Sequence, residues 1–223
     1  FKGSQPTDGA RIKLPDGGYQ TFSNLILASA DKAELLAADP SAERWIKPYV
    51  GGDEMISGDW RWCLWLKDAQ PTDIAGSSAI RERLERVRSG RLKSPTPSVR
   101  EFAQYPTLFT QDRQPETAYL AIPEVSSERR FYIPMDMLGP EIIASNKLQI
   151  IPGAGLDLFA LLTSAMHMGW MRTVAGRLES RYSYSPTVYN SFPWPALDEK
   201  AIIALAQSGQ SILDARARFP NET

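Results

Sequence analysis

Glu179, Arg181 and Ser183 stand at alternate positions in the stretch Gly176-Arg-Leu-Glu-Ser-Arg-Tyr-Ser-Tyr-Ser185. In an extended chain alternate residues share a face, so these three point one way while Ser180 and Tyr182 point the other. A carboxylate accepts from cytosine N4, and a guanidinium donates a fork to guanine O6 and N7. Side by side, Glu179 and Arg181 therefore have the chemistry to read both halves of one C·G pair. The same two groups make an ordinary surface ion pair, and composition alone leaves both readings open.

A second segment concentrates positive charge. Between residues 81 and 100 the chain sets Arg81, Arg83, Arg86, Arg88, Arg91, Lys93 and Arg100 against Glu82 and Glu85, within a protein of net charge −1. Such a face can neutralise phosphates and release counterions; a solvated helix face is the alternative. Arg81, Arg88, Arg91 and Lys93 are the phosphate candidates here. Arg129, Arg130 and Arg177 join them, with pairing to Glu128 as the structural alternative for the first two.

Other constellations fall short of catalysis. Pro152-Gly-Ala-Gly-Leu-Asp157 follows an apolar run, as a nucleotide or S-adenosylmethionine loop would, but it has two glycines rather than three. A plain strand-to-helix turn is the favoured reading. Asn190-Ser-Phe-Pro-Trp194 has Phe192 where an amino-methyltransferase loop has proline. Ser164 and His167 lie three apart with no acid to orient the imidazole, so His167 is expected to be structural. Glu116, Glu124 and Glu128 form no acid/base pair, and Asp53 with Glu54 lacks a third metal ligand. No catalytic, cofactor or metal residue is assigned.

Composition sets the remaining bounds. With 223 residues, 43% of them hydrophobic, the chain can bury a real core. Its single cysteine, Cys63, and single histidine, His167, allow neither an internal disulfide nor a Cys/His zinc site. A lone thiol suits a cytoplasmic protein, which is the expected location. No run approaches the ~18 apolar residues of a membrane span, so no membrane partner is expected. Because the chain opens on Phe1, a longer polypeptide is expected to carry it.

The elements that must position these residues follow from pattern. Lys2–Gly18 reads as an opening loop, Tyr19–Ala28 as a strand, and Asp31–Ala38 as a helix capped by Asp31. Arg61–Leu66 reads as a strand, and Ile80–Lys93 as a basic amphipathic helix with Ile80, Leu84 and Val87 inward. Ala118–Pro123, Phe131–Pro134 and Leu148–Pro152 read as strands of a mixed sheet, each stopped by proline. Leu156–Val174 is expected to be one buried helix, Tyr182–Tyr189 extended, and Glu199–Arg218 a last helix. The tryptophans Trp62, Trp65, Trp170 and Trp194 have apolar neighbours and read as packing residues. The order implies α+β, a mixed sheet with flanking helices, rather than βαβ alternation.

Several longer strings in one order carry a resemblance. RWCLWL, SSERRFYIP, MHMGWMRTVAGRLESRYSYS, VYNSFPWP and ILDARARFP together resemble the target recognition domain of MmeI-like enzymes, the type IIL class that combines a restriction endonuclease with a DNA adenine methyltransferase. In that family one polypeptide carries a nuclease, a helical connector, a methyltransferase core and then this domain with a helical tail. The resemblance implies recognition of double-stranded DNA within an S-adenosylmethionine-dependent adenine-N6 methyltransferase. Residues 1–195 would be the target recognition domain and 196–223 the start of a C-terminal helical segment. It implies base-reading roles for Glu179, Arg181 and Ser183, and for Lys147, which could donate to guanine at a neighbouring pair with short Ser183 leaving it room. S-adenosylmethionine and Mg2+ are implied for the whole enzyme and no cofactor for this piece; the methyltransferase domain of the same polypeptide is the implied partner. One alternative is a protein-interaction module that docks a methyltransferase or nuclease without reading bases. A self-contained methyltransferase, the remaining alternative, would bind S-adenosylmethionine itself.

Overall fold

The computed structural model describes residues 1–8, 11–13, 19–21 and 23–219. Strands β1 (Arg11–Lys13) and β2 (Tyr19–Thr21) form an antiparallel hairpin inside the expected loop and strand; residues 9, 10, 14–18 and 22 lie outside the described residues. Strand β3 (Ile26–Leu27) leads into α1 (Ser29–Ala38). Asp31 sits inside the first turn rather than at the cap, where its carboxylate accepts the Ala28 N–H at 3.0 Å. After a short 3-10 turn come β4 (Ile46–Val50), α2 (Gly52–Ser57), β5 (Arg61–Leu64) and α3 (Pro71–Ala75). Order β3-β5-β4-β9, with β9 at Ile143–Ala144, is a mixed sheet, because only the β4/β9 pair is parallel.

The basic helix α4 (Ser78–Leu92) starts where Ser77 Oγ accepts the Ile80 N–H at 3.2 Å. It buries Ile80, Leu84, Val87 and also Arg91. With α1 and the mixed sheet it encloses the first core, of Leu27, Leu35, Cys63 and Leu64. Proline at its first position opens α5 (Pro97–Glu101), which is followed by β6 (Tyr119–Pro123) and β7 (Val125–Ser126).

A second, antiparallel sheet has the order β10-β6-β8, with β8 at Asp136–Leu138 and β10 at Leu148–Pro152. Its β6 and β10 match the expected proline-stopped strands. Phe131–Pro134, by contrast, is a loop. The Phe131 carbonyl accepts from the Arg172 guanidinium, and the Ile133 N–H points to Met168 Sδ at 3.5 Å, so side chains take the groups a ladder would need. Tyr119, Ala121, Val50, Ala144 and Leu148 pack between the two sheets.

The expected single helix over 156–174 is two, α6 (Leu156–Leu162) and α7 (Ala165–Val174). Ser164 makes the break, its hydroxyl accepting the His167 N–H at 3.2 Å and so capping a new helix. The reading of 182–189 as extended is also corrected. Only β12 (Arg181–Ser183), which follows β11 (Gly176–Leu178), is strand, and Pro186 opens α8 (Pro186–Asn190).

The last helix, α9 (Glu199–Arg218), has the expected bounds and is capped by the Asp198 carboxylate on the Ala201 N–H at 2.8 Å. It lies on α6 so closely that a Cβ at Gly209 would strike the Leu156 carbonyl. Ile212 and Leu213 join the second core, of Leu120, Ile122, Phe159, Met168 and Val188. The fold is α+β. No described helix is long and apolar enough to cross a membrane.

Candidate nucleic-acid interface

Strands β11 and β12 form a hairpin whose ladder pairs Leu178 with Arg181 and Gly176 with Ser183, leaving Glu179 and Ser180 as the turn. Its inner strand, β12, joins it to the protein through β12–β7 pairing of Tyr182 with Ser126 and Ser183 with Val125. Alternation puts Arg181 and Ser183 on one face and Tyr182 on the other, as the sequence implies. Glu179 is not part of that strand face. It occupies the first turn position with a φ of 57°, the left-handed region that the turn requires. From there its carboxylate meets the Arg181 guanidinium at 3.0 Å, both side chains remaining exposed. Arg177 lies on the opposite face, over the Tyr182 ring at 4.4 Å and donating to the Ser180 carbonyl at 3.0 Å.

Lys147 comes from the turn between β9 and β10, and one residue joins that turn to the hairpin. The Glu124 N–H donates to the Lys147 carbonyl at 2.9 Å, while the Glu124 carbonyl accepts the Tyr184 N–H at 2.8 Å. The result is a groove of about 460 Å³ lined by Lys147, Arg177, Arg181 and Ser183, with Gly51–Glu54 and Arg61 also on its walls. Gly51 is needed for closeness: a Cβ there would come within 2.8 Å of both Glu54 Oε2 and Ser145 Oγ. Two of the groove acids are occupied, Glu54 by the Gly51 N–H at 2.7 Å and by Arg61, and Glu124 by Lys2 at 2.6 Å. Lys147 and Asp53 make no ion pair among the described residues. Asp53 and Arg61 were not singled out as site residues by sequence, since nothing in their spacing ties them to residues 147 and 181.

The phosphate candidates separate into two groups. Arg81, Arg88, Lys93, Arg129 and Arg177 are exposed, the last on the groove wall, and Arg130 is half-buried. Glu128, the structural alternative for Arg129 and Arg130, instead accepts the Ser180 hydroxyl at 3.2 Å, across to the hairpin turn. Its own backbone N–H, and then that hydroxyl, hold its carboxyl below the usual range. Arg91 is a correction. It is fully buried, and its guanidinium donates to the carbonyls of Leu108 at 2.6 Å, Tyr105 at 2.7 Å and Pro6 at 2.9 Å. No phosphate can reach it there, because burial and these carbonyls already occupy the cation. Burial also pulls its pKa down.

The remaining motifs have structural explanations. His167 is buried, with Nε2 at 2.9 Å from Tyr184 Oη and the Phe192 ring edge-on at 4.6 Å. Burial lowers its pKa to about 4. The glycines after β10 do not fit a nucleotide cofactor. Strand β10 is antiparallel to β6, and a Cβ at Gly155, the α6 cap, would strike the Asp157 carboxylate. No group of three His, Cys, Asp or Glu that could hold a metal occurs among the described residues.

Comparison with known proteins decides the family. The model of the MmeI target recognition domain matches residues 1–196. The chain belongs to the MmeI target recognition domain family. A DNA methyltransferase A of Bacillus subtilis (strain 168) is 33% identical to this target recognition domain over 215 residues, which are 96% of the chain and 23% of that protein. The structure of the type IIL restriction-modification enzyme MmeI in complex with DNA superposes on 99% of the chain with a TM-score of 0.88 and 40% identity. The domain covers 28% of that enzyme, so it spans about a quarter of the length of each relative.

Proposed function

We propose that this domain reads double-stranded DNA in a sequence-specific way for a larger restriction-modification polypeptide. Residues 1–195 form the reading unit and 196–223 begin a C-terminal helical segment. The observation that carries the proposal is the convergence of Lys147, Arg181 and Ser183 on one open groove, with Glu179 ion-paired to Arg181 at its rim. The ion pair sets the guanidinium and carboxylate side by side. Their outer edges then meet guanine O6/N7 and cytosine N4 of one C·G pair. Lys147 donates to guanine at the next pair, where the short Ser183 leaves room. Arg81, Arg88, Lys93, Arg129, Arg130 and Arg177 contribute phosphate contacts, which fix register and add salt dependence without reading sequence.

Methyl transfer to adenine N6 in a flipped-out nucleotide belongs to the methyltransferase domain of the same polypeptide. S-adenosylmethionine supplies the methyl group there, and Mg2+ serves a nuclease if the polypeptide cleaves. Work on DNA goes with a cytoplasmic location.

The test is selection of duplexes from a randomised pool by the parent polypeptide and its Arg181→Ala variant. The expected result is a motif containing a C·G pair that the variant relaxes by about 1–3 kcal/mol, while the other positions hold. Salt-sensitive binding with no motif would leave only a phosphate-contacting module. No binding by the parent would favour a protein-interaction role.

A further inference from the structure

The most exposed large apolar side chain of the described residues is Phe131, with 81% of its surface open, and Tyr132 beside it is 53% open. Both sit in the loop between β7 and β8. That loop is braced on each side. The Arg129 and Arg130 N–H groups turn back onto Ser127 at 3.2 Å, the Phe131 carbonyl is taken by Arg172 of α7, and the next residue but one, Ile133, is buried. The backbone is fixed while two adjacent aromatic rings, those of Phe131 and Tyr132, are left in water, an exposed apolar pair rather than a single surface residue.

Charge identifies the partner. Arg129 and Arg130 precede the ring, Arg172 holds the backbone carbonyl of the same residue, and the nearest acid in the loop, Glu128, is tied to Ser180 at the hairpin turn. An aromatic ring among cations suits a polyanion with flat, stackable faces, as in nucleic-acid surfaces that combine phosphate contacts with base stacking. The loop is also continuous with the groove. Helix α2 lends Gly52–Glu54 to the groove wall, and its next residues, Met55 and Ile56, border a neighbouring cavity with Arg130 and Tyr132.

We propose that Phe131 is a wedge: its ring enters the duplex next to the base pairs read from the groove and stacks in a partly opened base step, while Arg129 and Arg130 hold the flanking phosphates. Inserted apolar side chains of this kind unstack a step and kink the duplex, which brings more of its surface onto the protein. Phe131 thereby strengthens binding without choosing a sequence. The inference rests on the DNA-reading proposal above.

The test uses the parent polypeptide and its Phe131→Ala, Phe131→Trp and Arg181→Ala variants. Each is titrated with a duplex bearing the selected motif and with copies carrying one abasic nucleotide at successive positions through and beside it. Phe131→Ala is expected to bind the intact duplex about tenfold more weakly with an unchanged motif, and Phe131→Trp to keep its affinity. One abasic position should tighten binding by the parent about tenfold, because the step is already opened, and should give no gain with Phe131→Ala. Binding by Phe131→Ala within about twofold of the parent, with the same abasic profile, would overturn the wedge; base reading would still stand if Arg181→Ala relaxed the motif. A fall in the melting temperature of DNA-free Phe131→Ala would overturn it differently, by showing the ring packed on another part of the polypeptide. Failure of the parent to bind any duplex would remove both proposals.

Discussion

Replacing Arg91 with methionine keeps an unbranched apolar stem but removes the donors that tie the 105–108 turn and Pro6 to helix α4. The carbonyls of Leu108 and Pro6, at 2.6 and 2.9 Å from the guanidinium, would lose their partner inside the protein, and that of Tyr105, at 2.7 Å, would keep only the Leu108 N–H at 3.2 Å. Hydrogen bonds to a charged group contribute about 1.5–3 kcal/mol each. Relief of the buried charge offsets part of that sum, so the expected loss is about 4 kcal/mol, the usual scale for breaking a buried charged network. Against a total stability of about 5–15 kcal/mol this is a large fraction. In urea, with a slope near 2 kcal/mol per molar, the midpoint of Arg91→Met followed by tryptophan emission should fall by about 2 M. Arg88→Met, on the exposed face of the same helix, should stay within about 0.5 kcal/mol of the parent. A midpoint for Arg91→Met within about 0.5 M of the parent, with a shallower dependence of DNA affinity on salt, would refute the structural role and restore Arg91 as a phosphate contact.

His167 has a folded pKa of about 4, below the ~6.5 of an unfolded chain, so acidification protonates the unfolded state first. Between pH 7 and pH 5 the parent should lose about 2 kcal/mol more stability than His167→Gln, measured by urea unfolding at each pH; equal losses would show that the histidine is not held neutral. Gly209→Val should force α9 off the Leu156 carbonyl and cost about 2 kcal/mol, seen as a lower melting temperature. Glu179→Gly should relieve the positive φ of 57° and stabilise the hairpin by about 1 kcal/mol, again by thermal unfolding. The same variant should lose preference at the cytosine of the C·G pair in duplex selection.

Where one periodicity governs an element, the sequence is enough to draw it. Helix α9 and the strands β6 and β10 have clear ends in Asp198, Pro123 and Pro152. Arg91 shows how such a pattern is misread. It falls on the same helical stripe as Ile80, Leu84 and Val87, so spacing already turned it inward, but its charge suggested solvent. Ser164 and Pro186 are start signals that outweighed the apolar continuity of 156–174 and the extended look of 182–189. In Phe131–Pro134 an apolar run resembled a strand although its backbone is held by Arg172 and Met168. The alternation of Arg181 and Ser183 was legible; the turn at Glu179 was not, because a non-glycine residue with positive φ leaves no mark in composition. The groove itself depends on residues 51–54, 61, 124, 147 and 177–183 meeting in space, and only the family resemblance pointed to Lys147.

The first five residues lie against parts of the chain made much later. Lys2 bridges to Gln149, Ser4 to Ser145 and Gln5 to Gln111, and the Phe1 nitrogen donates to Ile150 at 3.1 Å. On a ribosome this seam stays open until most of the two sheets has been synthesised, since contacts so distant in sequence carry a loop-closure cost that slows folding. The mixed sheet can form its β3, β5 and β4 neighbours early, but β9 and the Lys147 turn arrive with the same stretch that receives the opening residues. The groove lined by Lys147 and Arg181 is therefore among the last surfaces to take shape. Any transplant of this unit into another polypeptide has to carry residues 1–5 along, because without them the residues on either side of Lys147 lose the bridges from Lys2 and Ser4.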